Sequence, residues 1–447
     1  MFEASKQGTD RTWIAVLVGA VSTLVVVGAV VFWATRLPAA APPLTYTWRA
    51  PAGDPIAGVH VEHWPAWTVA KSRGSEQVAI ETALEDHPAL QSMAVALMAA
   101  ADMRDLSAAG DAADVWNASL RAQDQPWALK PGATGKTLYV KTFFVLGRVE
   151  VETGDRKTEV SIGKRVDGLN VVEGYLGAAE DIGGALVVSD RVLEFATDDL
   201  WPLLGTVDDP IAVSLRAELA AGLPESSFEA LTRTADARAG MVAANRAVRE
   251  RRSCGSDFRM RVPWSGMDEF QRLLVYAERY RGEECPGLTA AEARALIRGT
   301  AAIRTEPGLW EALEQLVAWA CRHVVVHEAR HRLDQEDWGF GEPPPCEGCE
   351  LSGRVRIEAS AYVSAMASQE SLAALVQVCG FVAATESGSS RRGAVAVLDA
   401  LEIDCATPPP DVSTRAKALA KRWFSRDEEW TLHGMPDRVP LGIVDPE

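Results

Sequence analysis

The residues of this chain best suited to chemistry lie in the stretch 323–331, which contains the pattern H-E-x-x-H. His327 and His331 are four positions apart, so on a helix both imidazoles lie on one face and can reach one ion. Two histidines provide half of the ligands of a zinc site. Glu328, next to the first histidine, is placed to take a proton from a water molecule at the open position of that ion. The pattern therefore indicates a hydrolytic metal site.

Two carboxylates compete for the third ligand position that a catalytic zinc site needs. Glu358 begins a predicted helix, residues 356–366, on a face that is otherwise apolar, where a buried carboxylate needs a partner. Asp337 lies ten residues after His327, where the longer pattern H-E-x-x-H-x-x-G-x-x-[HD] has its third ligand. That pattern also requires a glycine, and Asp334 occupies its position here. We prefer Glu358, with Asp337 or neither residue as the alternatives.

The element that positions the two histidines is a predicted long helix. Thr305 can cap it, and Pro307 suits its first turn, where a missing N–H does no harm. Five apolar residues fall on the same side as His327 and His331, at about 100° per residue: Leu309, Leu313, Leu316, Ala320 and Val324. The histidines are therefore predicted to project from the buried face.

The rest of the chain predicts an α+β fold that is mainly helical, with a small antiparallel sheet. Alternating apolar residues predict strands at residues 137–152 and 158–162, with further candidate strands at residues 170–172 and 184–188. Helical spacing predicts two helices within 80–103 and further helices at 210–223, 228–251, 267–280, 289–297 and 414–424. The H-x-x-H of His60 and His63 is too weak a pattern for a metal site and predicts a surface loop.

The composition excludes one class of partner. The net charge is -17 and the pI is about 5.0, whereas a phosphate backbone favours clustered lysine and arginine. We therefore expect no nucleic acid. The hydrophobic share of 47% and the charged share of 24% are those of an ordinary globular protein.

The start of the chain predicts a membrane anchor. Residues 12–35 carry no charged side chain and are long enough to span a bilayer as a helix. A cleaved signal peptide would have a shorter apolar region, of about 7–15 residues. Lys6 and Arg11 precede the span and Arg36 follows it, which favours a cytoplasmic N-terminus. This predicts a single-pass protein of the cell membrane, most of it periplasmic or extracellular.

The predicted organisation has five parts. They are a cytoplasmic N-terminus (1–11), the transmembrane helix (12–35), a Pro/Ala-rich stalk (36–58), an α+β region with the small sheet (59–250) and a helical metal-binding region (251–447).

All seven cysteines lie from Cys254 to Cys405. Outside the cytoplasm such a group predicts structural disulfides. Cys346 and Cys349 form a C-x-x-C in a Gly- and Pro-rich loop, which favours a local disulfide over half of a structural zinc site or a redox pair. In each case the loop would stiffen the connection that brings Glu358 towards the histidines.

His327-Glu328-x-x-His331 followed by Glu358 on a downstream helix resembles the gluzincin group of zincin metallopeptidases. The resemblance is limited to this metal-site motif. It implies that the two histidines and Glu358 bind Zn²⁺, that Glu328 activates water, and that the metal helix packs on a small sheet. It also implies a protein or peptide substrate.

The chain departs from that group at the position four residues after the ligand glutamate, where an aspartate often orients the first histidine and this chain has Tyr362. Asp334 is then the candidate for the orienting role. Tyr362 is either a packing residue or a donor to a tetrahedral oxyanion. His323 is either a hydrogen-bonded structural histidine or a further ligand, and His433 is either a loop residue or a transition-state donor.

The sequence thus predicts a membrane-anchored zinc metallopeptidase that hydrolyses peptide bonds outside the cytoplasm, with Glu328 as general base. One alternative is a catalytically silent envelope protein, in which the motif is a structural metal site or a packed helix. Another is a zinc hydrolase that acts on something other than a peptide. No pattern indicates the oligomeric state or the substrate.

Overall fold

The computed structural model describes residues 54–70, 73–134, 137–167, 177–178, 184–206, 209–250, 298–299, 301–303, 305–338, 349–351, 353–383 and 388–441. These residues form a mainly helical α+β fold with a small mixed sheet. The predicted fold class is confirmed at this level.

The helices are numbered here in chain order. They are α1 Pro55–Gly58, α2 Trp64–Val69, α3 Gly74–Ala83, α4 Pro88–Met103, α5 Leu106–Ala122, α6 Ser189–Phe195, α7 Pro210–Gly222, α8 Glu225–Glu250, α9 Leu309–Trp338, α10 Gly353–Ala367, α11 Ser371–Ala383, α12 Ser389–Leu401 and α13 Val412–Phe424. The π-helical turn Val59–His63 joins α1 to α2, and Ala196–Leu200 and Trp201–Leu204 continue α6 as π and 3₁₀ turns. The strands are β1 Trp127–Thr134, β2 Thr137–Thr153, β3 Arg156–Arg165, β4 Gly177–Ala178, β5 Ala185–Val188 and β6 Thr431–His433.

The sheet has the strand order β1-β2-β3-β5-β4, and β6 pairs with β2. The prediction of an antiparallel sheet is wrong for one pair, because β5 runs parallel to β3. The connection from Arg165 to Ala185 is long enough for the crossover that a parallel pair requires. All four residues of β5 are buried, as is typical of a strand covered on both faces.

The first helices form a core of their own against β1 and the first half of β2. Its largest side chains are four tryptophans: Trp64, Trp67, Trp116 and Trp127. His60 is buried among them, so the predicted surface loop is wrong here. Its Nε2 accepts from the indole N–H of Trp116 (3.2 Å), and its Nδ1 therefore donates to the Ile56 carbonyl (2.8 Å). Burial lowers the pKa of His60 to about 4.

Helix α9 lies at the centre of the larger core. It packs on β3 and β5 of the sheet and on α8 and α10, so every residue from His323 to Arg330 is buried. The predicted buried face is present, and near the histidines the helix is covered on all sides.

The predicted start of this helix is wrong. Thr305 does not cap α9, because its hydroxyl donates back to the Ala301 carbonyl (2.9 Å) at the end of the preceding helical segment. Pro307 and Gly308 form a turn, with Gly308 at φ 72°, a conformation that favours glycine. Helix α9 begins immediately after it, at Leu309.

Several predictions fall outside the described residues: the transmembrane helix 12–35, most of the stalk 36–58, the strand 170–172 and the helices 267–280 and 289–297. At the end of the stalk, residues 55–58 are helical and Asp54 caps them. Among the described helices none is long and apolar enough to cross a membrane.

Candidate metal centre

His327 and His331 face each other from consecutive turns of α9. Their Nε2 atoms are 3.0 Å apart, and the two rings meet edge to face with centroids 4.6 Å apart. Two nitrogen ligands at about 2.1 Å from a tetrahedral zinc ion are about 3.4 Å apart, so a slight opening of the pair suits one ion.

Glu358, in α10, completes a group of three side chains that can ligate a metal. One oxygen of its carboxylate and one nitrogen of each histidine all lie within 4.8 Å of one another. His327 is buried, whereas His331 and Glu358 are half-buried. Two histidines and a carboxylate form a donor set of the kind that binds catalytic zinc.

The close approach of neighbouring helices fixes the position of Glu358. Ala359 and Ala361 are fully buried in α10. A side chain added at Gly393, in α12, would meet the Glu358 Cβ at 3.1 Å. Helix α12 therefore supports α10 directly behind the candidate ligand.

The electrostatic surroundings keep both histidines neutral. Burial lowers the pKa of His327 well below its usual range, and the neighbouring His331 and His323 lower it further. Burial also lowers the pKa of His331, which the charge of Glu358 opposes. Neutral imidazole is the form that binds a metal ion.

The second ring nitrogens of the two histidines differ in their support. A backbone hydrogen bond to Ala361 favours the protonated form of His327, against the larger effect of burial. The Nδ1 atom of His331 is buried and has no hydrogen-bond partner among the described residues. Metal-binding histidines usually donate this second N–H to a carboxylate or a carbonyl, so the packing of the helices must orient the His331 ring instead.

Glu328 is buried beside the group, with 4% of its surface exposed. Because it follows His327 by one residue, it leaves α9 about 100° around the helix from that ligand. Its charge is close enough to raise the pKa of Tyr362.

Tyr362 belongs to the same site. Its ring centroid is 5.1 Å from that of His327, and its hydroxyl faces Ser390 and Glu358. Burial raises the pKa of Tyr362, and the charge of Glu358 raises it further, so the phenol stays protonated. Its ring packs against His327, and its protonated hydroxyl can donate a hydrogen bond.

His323 lies one turn before His327 and has a partner of its own. Its Nε2 lies 3.0 Å from the Oε1 of Gln377, in α11, and its ring packs against Phe195 with centroids 5.6 Å apart. Burial lowers its pKa to about 4. These contacts are those of a structural, neutral histidine.

The two aspartates that follow the motif have arginine partners. Asp337 is half exposed and accepts from Arg156, in β3, at 2.6 Å. Asp334 is buried, and its Oδ1 contacts Arg330 at 2.8 Å and Arg426 at 2.7 Å. His327 is not among the described partners of Asp334, so no contact supports the predicted role of Asp334 in orienting His327.

His433 lies on strand β6, and its side chain is more than half exposed. Its Nε2 is 3.6 Å from an oxygen of Glu152, in a second acidic group with Glu150. The ammonium of Lys157 pairs with both of these carboxylates. These contacts give no support to the role of a transition-state donor.

The described disulfide joins Cys379, in α11, to Cys405, which follows α12. Cys349 is also disulfide-bonded, while Cys346 lies outside the described residues, so the predicted Cys346–Cys349 pair stays a prediction. Cys321, in α9, is a buried free thiol.

A cavity of about 480 Å³ lies on a neighbouring side of α9. Arg322 and Val326 line it from α9, and Glu370, Glu428 and Trp430 line it from other elements. The candidate ligands are not among its lining residues, so it is separate from the metal centre.

The sequence analysis does not identify four residues around the site: Ser360, Ser390, Gly393 and Arg426. None of them stands in a motif with the histidines. The sequence does show that Arg330 and Asp334 are four residues apart, so that they share one side of a helix and can pair. That pair marks the position of the charged group that Arg426 joins.

Comparison of this chain with protein-family models, with curated proteins and with solved structures gives no significant match.

Proposed function

We propose that this protein is a zinc-dependent hydrolase of peptide bonds, with His327, His331 and Glu358 as the metal ligands. The observation that carries the proposal is the meeting of these three side chains from two helices within 4.8 Å. The H-E-x-x-H pattern alone does not require a carboxylate from another helix near both histidines.

Zinc, when bound, supplies a Lewis acid that polarises a peptide carbonyl and acidifies a water molecule. The residues of the chain supply the remaining steps. Glu328 takes the proton of the attacking water and passes it to the leaving amine. The protonated hydroxyl of Tyr362 is a candidate to donate a hydrogen bond to the oxyanion or to the Glu358 carboxylate.

The surroundings of α9 support the resemblance to the gluzincin group. In that group the metal helix packs on a small sheet, and α9 packs on β3 and β5. The group's glutamate ligand comes from a downstream helix, and Glu358 comes from α10. Tyr362 remains the point of departure.

We also propose that the protein acts outside the cytoplasm, anchored by residues 12–35. The Cys379–Cys405 disulfide supports this, because structural disulfides persist in oxidising compartments.

The test of hydrolysis uses the purified full-length protein and an unstructured protein as substrate. We expect cleavage that a chelator abolishes and added Zn²⁺ restores. Glu328→Gln should lower the rate by about 10²–10⁴-fold, the contribution of a general base, and should leave the zinc content unchanged. Cleavage that persists in the Glu328→Gln variant would contradict the proposed mechanism.

A silent metal site is the second candidate. The burial of His327 and Glu328, at 7% and 4% exposed, favours it because a substrate must reach both groups. Bound zinc without cleavage of any protein substrate would support this alternative. Zinc-dependent cleavage of an ester alone would indicate the non-peptide hydrolase.

A further inference from the structure

A buried polar network ties the two helices that carry the candidate ligands. Asp334 lies three residues after His331, on α9, and Ser360 lies two residues after Glu358, on α10. The Ser360 hydroxyl donates to Oδ2 of Asp334. Asp334 and Ser360 are 1% and 0% exposed, so this contact is closed to solvent.

Arg426 closes the network from the segment after α13. One of its terminal nitrogens donates to Oδ1 of Asp334 (2.7 Å) and the other to the hydroxyl of Ser360 (2.8 Å). Its fork therefore bridges α9 and α10 at once, which a lysine ammonium reproduces poorly.

The surroundings hold the Arg426 guanidinium in place. It lies over the ring of Phe424, 4.6 Å from its centroid, and its Nε is 3.4 Å from the Oε1 of Glu428. Glu428 in turn accepts from the indole of Trp430 (2.6 Å). A buried ion pair with several hydrogen bonds specifies one arrangement more strictly than apolar packing does.

We propose that Asp334, Ser360 and Arg426 form a clamp that positions His331 and Glu358 for metal binding. The Nδ1 atom of His331 is buried and has no hydrogen-bond partner among the described residues. In the usual site such bonds orient the ligands. Here the position of α9 relative to α10 orients the ligands. The clamp fixes that position, and its residues Asp334 and Ser360 lie within three residues of His331 and Glu358. These three are positioning residues, and the inference rests on the proposed zinc site.

Ser360→Ala removes the centre of the clamp with little change of volume. The matched control is Ser364→Ala, one turn further along α10, because Ser364 is also fully buried and its hydroxyl has no hydrogen-bond partner. Ser360→Thr keeps a hydroxyl and serves as the rescue variant. Arg426→Gln tests the clamp from its third element.

The measurements are zinc affinity by competition with a chromophoric chelator and the visible absorption spectrum of the Co²⁺ form, which reports the ligand geometry. Ser360→Ala and Arg426→Gln should weaken zinc binding by about 10–100-fold, as loss of an outer partner of a ligand does. Both should also shift the Co²⁺ bands, whereas Ser364→Ala should match the wild type and Ser360→Thr should recover most of the affinity.

Two results would overturn the inference. If Ser360→Ala and Ser364→Ala bind zinc equally well with the same Co²⁺ spectrum, the clamp contributes only to stability. If the wild-type protein binds no zinc, the metal centre itself is refuted and the clamp with it. Thermal unfolding of each variant shows that the comparison is made on folded protein.

Discussion

At the scale of single residues, the two carboxylates that compete for the third ligand position differ in their partners. Glu358 lies with both histidines. Asp337 lies at the surface and pairs with Arg156, an exposed ion pair of the kind that contributes little to stability. Substituting each of the two carboxylates, Glu358 and Asp337, therefore tests directly which of them is a ligand.

We predict that Glu358→Gln weakens zinc binding more than the roughly 10–100-fold lost with an outer partner, since it removes a charged ligand. Asp337→Asn should leave the affinity unchanged. Isothermal titration calorimetry with Zn²⁺ measures the zinc affinity of both variants. Equal affinities for the two variants would remove Glu358 from the ligand set.

Single residues also show where prediction from sequence stops. His327, Glu328 and His331 are local in the chain, and helical spacing alone puts the two histidines side by side. Glu358 was predictable because a carboxylate on an apolar helix face needs a partner. Ser360 and Arg426 were not, because their contacts join segments far apart in sequence and neither residue type is unusual on a helix or in a loop.

At the scale of elements, α11 supports the site from behind. Its Gln377 contacts His323, and its Phe381 packs against Tyr362 with centroids 5.8 Å apart. The carboxylate of Glu218, in α7, caps the start of α11 by accepting from the Leu372 amide and the Ser371 hydroxyl. The cap therefore stabilises the helix that contacts His323 and Tyr362.

This cap predicts a pH dependence of stability. Burial raises the pKa of Glu218 to about 7, above the value near 4.3 of an unfolded glutamate. The folded state therefore favours the protonated carboxyl group of Glu218. The stability that this protonation contributes is complete below about pH 4 and is lost as the pH rises through 7. At about 1.4 kcal/mol per pKa unit, the unfolding free energy should fall by about 3 kcal/mol from pH 4.5 to pH 8.

Urea unfolding of wild-type protein and of Glu218→Gln across this range isolates the effect, because glutamine keeps an acceptor and does not titrate. The difference in unfolding free energy between the two proteins should move in favour of the variant as the pH rises. A difference that stays constant, or moves in favour of the wild type, would contradict the assignment.

Element boundaries depended on turn chemistry that the sequence only partly shows. The break between the two helices predicted within residues 80–103 lies between α3 and α4, where Pro88 begins α4, as expected because proline is favoured at the start of a helix. Thr305 is the predicted cap of α9, but the turn with Gly308 at φ 72° sets the start of that helix. The parallel pairing of β5 was missed because alternation along a strand does not show its direction.

At the scale of the whole molecule, the C-terminal segment returns along α9. Arg426 contacts Asp334 near the end of that helix, and the Val439 amide donates to the Glu314 carbonyl (3.1 Å) near its start. Arg438 pairs with Glu311 in the same region. Helix α9 is thus held between the sheet, α10 and the last described residues, and no local pattern in the sequence predicts the return of the C-terminal segment along it.

We propose that a zinc ion binds where α9 meets α10, and the zinc content of three purified full-length proteins decides whether it does. Elemental analysis by mass spectrometry should find about one zinc per chain in the wild type and in Glu328→Gln. It should find almost none in His331→Ala, which loses one of only three protein ligands. Zinc retained by His331→Ala, or absent from the wild type, would refute the proposed metal centre.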